Sequence, residues 1–177
     1  MKNNIFLLII IVLFASILRL YQLGKTHIAL EWDEVALGYD AYSILKTGRD
    51  QFGKFLPNNF RSLDDYKPPL YVYMAVPAVA LFCLTEFAAR FPSAIFGIIA
   101  VILTYYLVLE LFSNFNYWQR HSLALIACLF LSISPWHLQF SRAAFETNLS
   151  VTVTLAAVLS FLAGIKGNSK AFLLSSF

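Results

Sequence analysis

Five apolar runs, at residues 5–21, 70–84, 93–112, 123–140 and 149–165, narrow the folds open to this 177-residue chain more than any other feature. A helix rises about 1.5 Å per residue and the hydrocarbon of a bilayer is about 30 Å thick, so about 17–25 apolar residues in a row can cross it. The first run and the last three reach that length. Run 70–84 is the short one, and Pro77 interrupts it. Because 59% of residues are hydrophobic and 13% charged, too little polar surface remains to wrap a water-soluble globule. The expectation is an all-α, polytopic transmembrane helical protein, a single domain over residues 1–177.

Against that background, the stretch Glu31-Trp32-Asp33-Glu34 is conspicuous: three carboxylates beside a tryptophan, just past the first apolar run. Acids grouped where membrane gives way to water call for an explanation. One reading makes Asp33 the cap of a helix over 35–45, with Glu34 in its first turn, favoured by the positive end of the helix dipole. The other makes a carboxylate at the mouth of a lipid-facing cavity a general base on an acceptor hydroxyl or amine, held in place by its neighbour. The segment 25–67 that follows is the one long polar stretch. It holds seven of the ten acids and six of the thirteen bases, interleaved with aromatic and aliphatic residues. Loops of this length that are ordered are usually functional. Val35, Leu37, Tyr39, Tyr42, Ile44 and Leu45 suit an interfacial helix ended by Gly48, and Gly53 and Pro57 then suggest a compact turn.

Topology follows from parity. Lys2 fits the start of a signal peptide, but Arg19 stands where cleavage needs small residues and the run is too long, so an uncleaved anchor is expected, with Lys2 in the cytoplasm. If Asp33 and Glu146 serve one site, an even number of crossings separates them. Run 70–84 is then expected to lie along the outer interface. Spans are expected at 5–23, 91–112, 122–140 and 149–165, with an external loop carrying juxtamembrane helices over 24–90. This leaves Arg120, Lys166 and Lys170 in the cytoplasm, as the positive-inside rule prefers. The six loop bases stay outside against that rule, a cost offset if they attract a phosphorylated lipid. The net charge is only +3, with the bases dispersed, which gives nucleic-acid binding no support. Cys83 and Cys128 both lie in apolar runs and read as small core residues.

Trp32-Asp33-Glu34, Gly38-Tyr39, Thr47-Gly48-Arg49-Asp50, Gly53, Pro57, Lys67-Pro68-Pro69, Arg90-Phe91-Pro92-Ser93 and Ser134-Pro135-Trp136 through Ser141-Arg142 to Glu146 cover nearly all of the chain. In that order and spacing they resemble the N-terminal part of the dolichyl-phosphate-mannose protein mannosyltransferase family. These are GT-C enzymes of glycosyltransferase family 39, and the aminoarabinose transferase that modifies lipid A is a bacterial member. The resemblance implies a polytopic enzyme of the plasma or inner membrane. It would transfer a sugar, with inversion, from a polyprenyl-phosphate carrier to a protein, lipid or glycan acceptor at the external face. The resemblance places the essential acid on Asp33, with Glu34 beside it, and the second acid on Glu146, where aspartate is more usual. Lys67 matches a lysine that binds carrier phosphate in the aminoarabinose transferase. The residue before that lysine is there a glutamate metal ligand; here it is Tyr66, so that ligand does not carry over and a divalent metal stays an open question.

A polyprenyl phosphate is already a good leaving group, so such a site has mainly to deprotonate and orient the acceptor and to stabilise charge on the departing phosphate. Lys67 and Arg142 would do the latter, Lys as a point charge and Arg as a bidentate donor. Tyr39, Tyr42, Tyr66 and Tyr71 would line the sugar or isoprenoid path. Each has a plainer reading: Lys67 snorkels to headgroups, Arg142 and Glu146 form an ion pair four residues apart, His137 is an interface residue, and the tyrosines belong to the aromatic belt. A non-enzymatic scaffold or transporter-like subunit is the alternative, and it would place acids mid-bilayer within the helices. Family members are several times longer, so this chain is expected to be an N-terminal piece, inactive alone, with another apolar segment opening at Ala171.

Overall fold

The computed structural model describes residues 2–25, 30–62 and 65–166. Asp64, Lys170 and the segment from Ala171 lie outside the described residues. In chain order the elements are α1 (Lys2–Leu20), α2 (Trp32–Thr47), β1 (Phe60–Ser62), β2 (Asp65–Lys67), α3 (Pro69–Phe82), α4 (Glu86–Leu111), α5 (Tyr117–Ile133), α6 (Pro135–Arg142) and α7 (Glu146–Ile165).

Helices α1, α4 and α7 are each long and apolar enough to cross a membrane. Run 123–140 is not one straight helix. Pro135 has no N–H to give the carbonyl of Leu131, and α5 and α6 meet there at 58°, a fourth crossing if the pair is one broken span. With 14 residues, α3 is about 21 Å long, short of the hydrocarbon thickness.

The four apolar pieces run as two parallel pairs. At one end of the bundle, where α1 and α5 begin, Asn4 donates to the Tyr117 hydroxyl at 3.3 Å. Helices α4 and α7 finish at that same end, where Lys166 reaches Glu110 at 2.7 Å. Their shared seam is tied by polar side chains of α7 that reach carbonyls of α4. Asn148 donates to the Ser93 carbonyl at 2.7 Å and Thr152 to that of Phe96 at 3.0 Å. Asn148 therefore fills an interhelical role. A Cβ at Gly97 would overlap the Ser141 hydroxyl and come within 3.1 Å of Arg19 Nε, so glycine is what lets α6 cross α4 here.

At the other end two buried or half-buried arginines cap helix ends, Arg19 that of α5 and Arg142 that of α1. Arg19, fully buried in the last turn of α1, donates to the Leu131 and Ser132 carbonyls that the break in α5 leaves open, and to His137 Nδ1 at 2.9 Å. Arg142, in the last turn of α6, donates to the Leu18 and Tyr21 carbonyls at the end of α1. Unpaired carbonyls in an apolar medium cost free energy, and a cation at a helix C-terminus is favoured by the dipole. His137 is thus a buried partner of Arg19 rather than an interface residue. Trp136 beside it is exposed.

Helix α2 lies across this end of the bundle and packs along α3 through Leu37, Ala41, Ile44, Tyr71, Val72, Ala75 and Val79. Gly48, at φ 68, ends α2 as expected. The N-cap is Glu31, not Asp33, and the Glu34 side chain accepts its N–H at 3.1 Å. Lys67, just before α3, touches Asp33, while Arg90, just after it, touches Glu34. Helix α3 therefore leaves and returns at one level. Cys128 is buried as expected, donating to the Val101 carbonyl, whereas Cys83 is exposed at φ 58 in the turn that ends α3.

Candidate active site

Lys67 is the centre of the polar end. It stands at the last position of β2, paired with Phe60 across the hairpin, and Pro68 and Pro69 fix the chain's departure into α3. Its ammonium lies 3.0 Å from Asp65, 3.1 Å from Asp33 and 3.9 Å from Glu146. The Asp65 contact and those to Asp33 and Glu146 outweigh partial burial and hold its pKa above the ordinary lysine value. The structure therefore brings Asp33 and Glu146 to one ammonium on one side of the bundle. Asp33 keeps Oδ1 without a hydrogen-bond partner among the described residues, and Glu146 Oε2 is buried without one. Asp33 sits in the first turn of α2, and Glu146 is the first residue of α7, each at a helix start.

Glu34 points the other way, into the protein. Arg90, with a fully buried side chain, donates Nε–H to Glu34 Oε1 at 2.9 Å and Nη2–H to Oε2 at 3.0 Å. Oε1 also accepts the Ala144 N–H at 2.7 Å. Burial alone would raise this carboxyl's pKa, but hydrogen bonds from Arg90 and the Ala144 and Glu31 amides, with the Arg90 charge, hold it below the usual value. One carboxylate thus ties the start of α2 to α4 and to the turn before α7. It fixes Asp33, its neighbour, relative to Glu146, two residues past Ala144.

Of the remaining predicted residues, Tyr66 is exposed on β2 and Tyr71 is buried, donating its hydroxyl to the Ala89 carbonyl at 2.8 Å. Arg142 is engaged with α1, and its distances to Glu146 do not form an ion pair among the described residues. Arg90 and Arg19 are the residues that sequence reasoning passed over. Their signal was available: a lone arginine at the edge of an apolar run must find an acid or open carbonyls inside. The described residues hold no group of three or more His, Cys, Asp and Glu that could bind a metal. Further out, Asp40 is buried beneath the loop that follows α2, accepting the Gln51 N–H at 3.0 Å. Burial and the charge of Asp50 push its pKa up to about 6.

Two cavities open beside the cluster. An apolar groove of about 440 Å³ runs from Glu146 between the start of α3 and α7, lined by Pro68, Leu70, Tyr71, Leu149 and Val153. A wider bay of about 680 Å³ lies on the outer face of α2, between Trp32, Tyr39, Gln51, Phe52 and Arg61.

Apolar crossing helices that end together at a polar mouth define a multi-pass membrane protein of the helical kind. The chain belongs to the dolichyl-phosphate-mannose-protein mannosyltransferase family, whose model matches residues 66–177, more than half of it. It is therefore a membrane glycosyltransferase in general type, for which a lipid-linked sugar is the donor class. The matched residues include Lys67, Arg90, Arg142 and Glu146, while Asp33 and Glu34 precede them. No curated protein and no solved structure matches the chain.

Proposed function

We propose that this protein transfers a sugar, with inversion, from a polyprenyl-phosphate carrier to an acceptor at the external membrane face, and that the reaction takes place at Lys67 between Asp33 and Glu146. The observation that carries this reading is that single ammonium, 3.1 Å from one acid and 3.9 Å from the other, at the head of an apolar groove. The groove receives the first isoprene units and leads the phosphate to Lys67. Asp33 takes the proton of the acceptor hydroxyl as its oxygen bonds to the sugar's C1. The C1–O bond to phosphate breaks, its electron pair stays on the phosphate, and Lys67 neutralises the growing charge. A single in-line displacement of this kind inverts C1. Glu146 orients the sugar or the lysine. Glu34, enclosed by Arg90, serves as a positioning residue, as does Arg142 through its hold on α1.

Orientation rests on Lys166 and Arg120, which lie toward the opposite end of the bundle, where positive charge is favoured in the cytoplasm. The acids at helix ends favour the enzyme over a transporter-like subunit, which would carry them mid-span. The test is binding of a polyprenyl monophosphate followed by thermal unfolding in nanodiscs. Wild-type protein should be stabilised by the phosphate and not by the free polyprenol, and K67M should lose that response. Equal stabilisation of K67M, or by the polyprenol, overturns the assignment.

A further inference from the structure

We propose that the bay on the outer face of α2 is the acceptor subsite and that its acceptor is a saccharide, an inference that rests on the transferase reading above. Helix α2 uses its inner face, through Leu37, Ala41 and Ile44, to join the core. Its outer face turns Trp32, 77% exposed, and Tyr39 toward the loop that follows, which presents Phe52 from the opposite wall. Large aromatic surface left open in a concave site marks a binding surface rather than packing. The polar groups of the same bay are an amide, a hydroxyl and a guanidinium. Gln51 is pinned by hydrogen bonds from its side-chain amide to Asp40 and to the Arg61 carbonyl. The Arg61 guanidinium lies over the Phe52 ring at 5.4 Å, and Ser62 closes the edge.

A pyranose ring has a flat C–H face and a rim of hydroxyls, which matches ring faces flanked by a guanidinium and by the Gln51 amide oxygen, an acceptor held in place because both amide hydrogens are given to Asp40 and the Arg61 carbonyl. A membrane surface is the rival occupant. It would have to desolvate Gln51 and the guanidinium without replacing their hydrogen bonds, which is costly. A peptide would need a row of backbone partners, whereas this wall consists of side-chain rings.

Position supports the same assignment. Trp32 is the neighbour of Asp33, and Ser62 pairs across the hairpin with Asp65, which grips Lys67 at 3.0 Å. The hairpin thus carries both the Ser62 edge of the bay and the reacting Lys67, while the lipid groove meets Glu146. An in-line displacement needs such separate approaches for acceptor and carrier. A sugar hydroxyl delivered from the bay gives its proton to Asp33 and its oxygen to C1, and the phosphate leaves along the groove with the bonding pair.

The chain has three tryptophans, so W118F/W136F leaves Trp32 as the only one and a reporter of the bay. The doubly substituted protein in zwitterionic nanodiscs is titrated with mannotriose, maltotriose and N,N′-diacetylchitobiose, with a serine- and threonine-containing hexapeptide, and separately placed in anionic nanodiscs. At least one saccharide should shift Trp32 emission saturably, with a midpoint on the order of 1 mM, the weak end of specific affinity. F52L, which keeps volume without the ring, should raise that midpoint at least tenfold. If F52L fails to fold, Y39L is measured for the same loss by saturation-transfer NMR of the saccharide. K67M should lose stabilisation by polyprenyl monophosphate and leave the saccharide midpoint in place, so a failed carrier site and a failed subsite give different results. No response to any saccharide, a saturable response to the peptide alone, or a shift produced only by anionic lipid overturns the proposal.

Discussion

Removing the Glu34 carboxylate should be among the most damaging single changes in this chain, and the structure sets the scale. Arg90 has a fully buried side chain and draws both oxygens of Glu34 at 2.9 and 3.0 Å. In E34A the guanidinium would keep its burial and lose its bidentate partner, with Glu86 at 3.5 Å on its own helix a longer and half-exposed contact, and the Ala144 and Glu31 amides would lose their acceptor. Breaking a buried pair by deleting one partner costs about 3–5 kcal/mol. For a chain of this size each kcal/mol moves the unfolding midpoint by about 2–4 °C, so E34A should unfold roughly 6–20 °C below wild type. Replacing both partners with apolar residues, as in E34L/R90M, should recover much of that loss, because no charge is then stranded. Stabilisation by polyprenyl monophosphate should not recover, because the tie between α2 and the start of α7 is gone and Lys67 is no longer held between Asp33 and Glu146. The depressed carboxyl adds a pH signature. Its stabilisation is complete above the ordinary carboxyl pKa and disappears as pH falls through the lower value of the folded protein, a dependence that E34Q should remove. Thermal unfolding in nanodiscs between acid and neutral pH, with and without polyprenyl monophosphate, checks each point. An E34A midpoint within about 2 °C of wild type would refute the reasoning, since no buried charge would then have been stranded.

Other substitutions test separate parts of the molecule. K67M should weaken polyprenyl monophosphate binding roughly 10- to 100-fold, the worth of one or two charge-assisted hydrogen bonds, in a vesicle or nanodisc titration. G97A forces a Cβ onto Ser141 and should cost about 1–3 kcal/mol, read as a lower unfolding midpoint with the helical content unchanged. The fold favours the neutral form of Asp40, so its contribution to stability should be lost as pH rises from the usual carboxyl range through about 6; D40N should flatten that part of the stability curve.

The long apolar helices were legible because run length against bilayer thickness decides which could cross, and α3, at 14 residues, falls short of that length. The meeting of Asp33 with Glu146 was legible only through the parity of crossings and the resemblance, since nothing local links residues so far apart. The break at Ser134-Pro135 was visible as a proline but hidden by the apolar run around it. The hairpin that delivers Lys67 was not legible: each strand has three residues, too few for alternation to register. Glu34 was read with Asp33 because they adjoin in sequence. Successive residues on a helix diverge by about 100°, and the partner that claims Glu34 lies on α4, beyond any local signal.

The proximity of positions 33 and 146 is the most direct test of the site. In a C83S/C128S background with a protease site placed in the 113–116 connector, D33C and E146C are treated with a short bifunctional thiosulfonate and the chain is then cut. The two halves should stay joined on a non-reducing gel and separate on reduction. Halves that separate although each cysteine is labelled singly would contradict a shared site at Lys67.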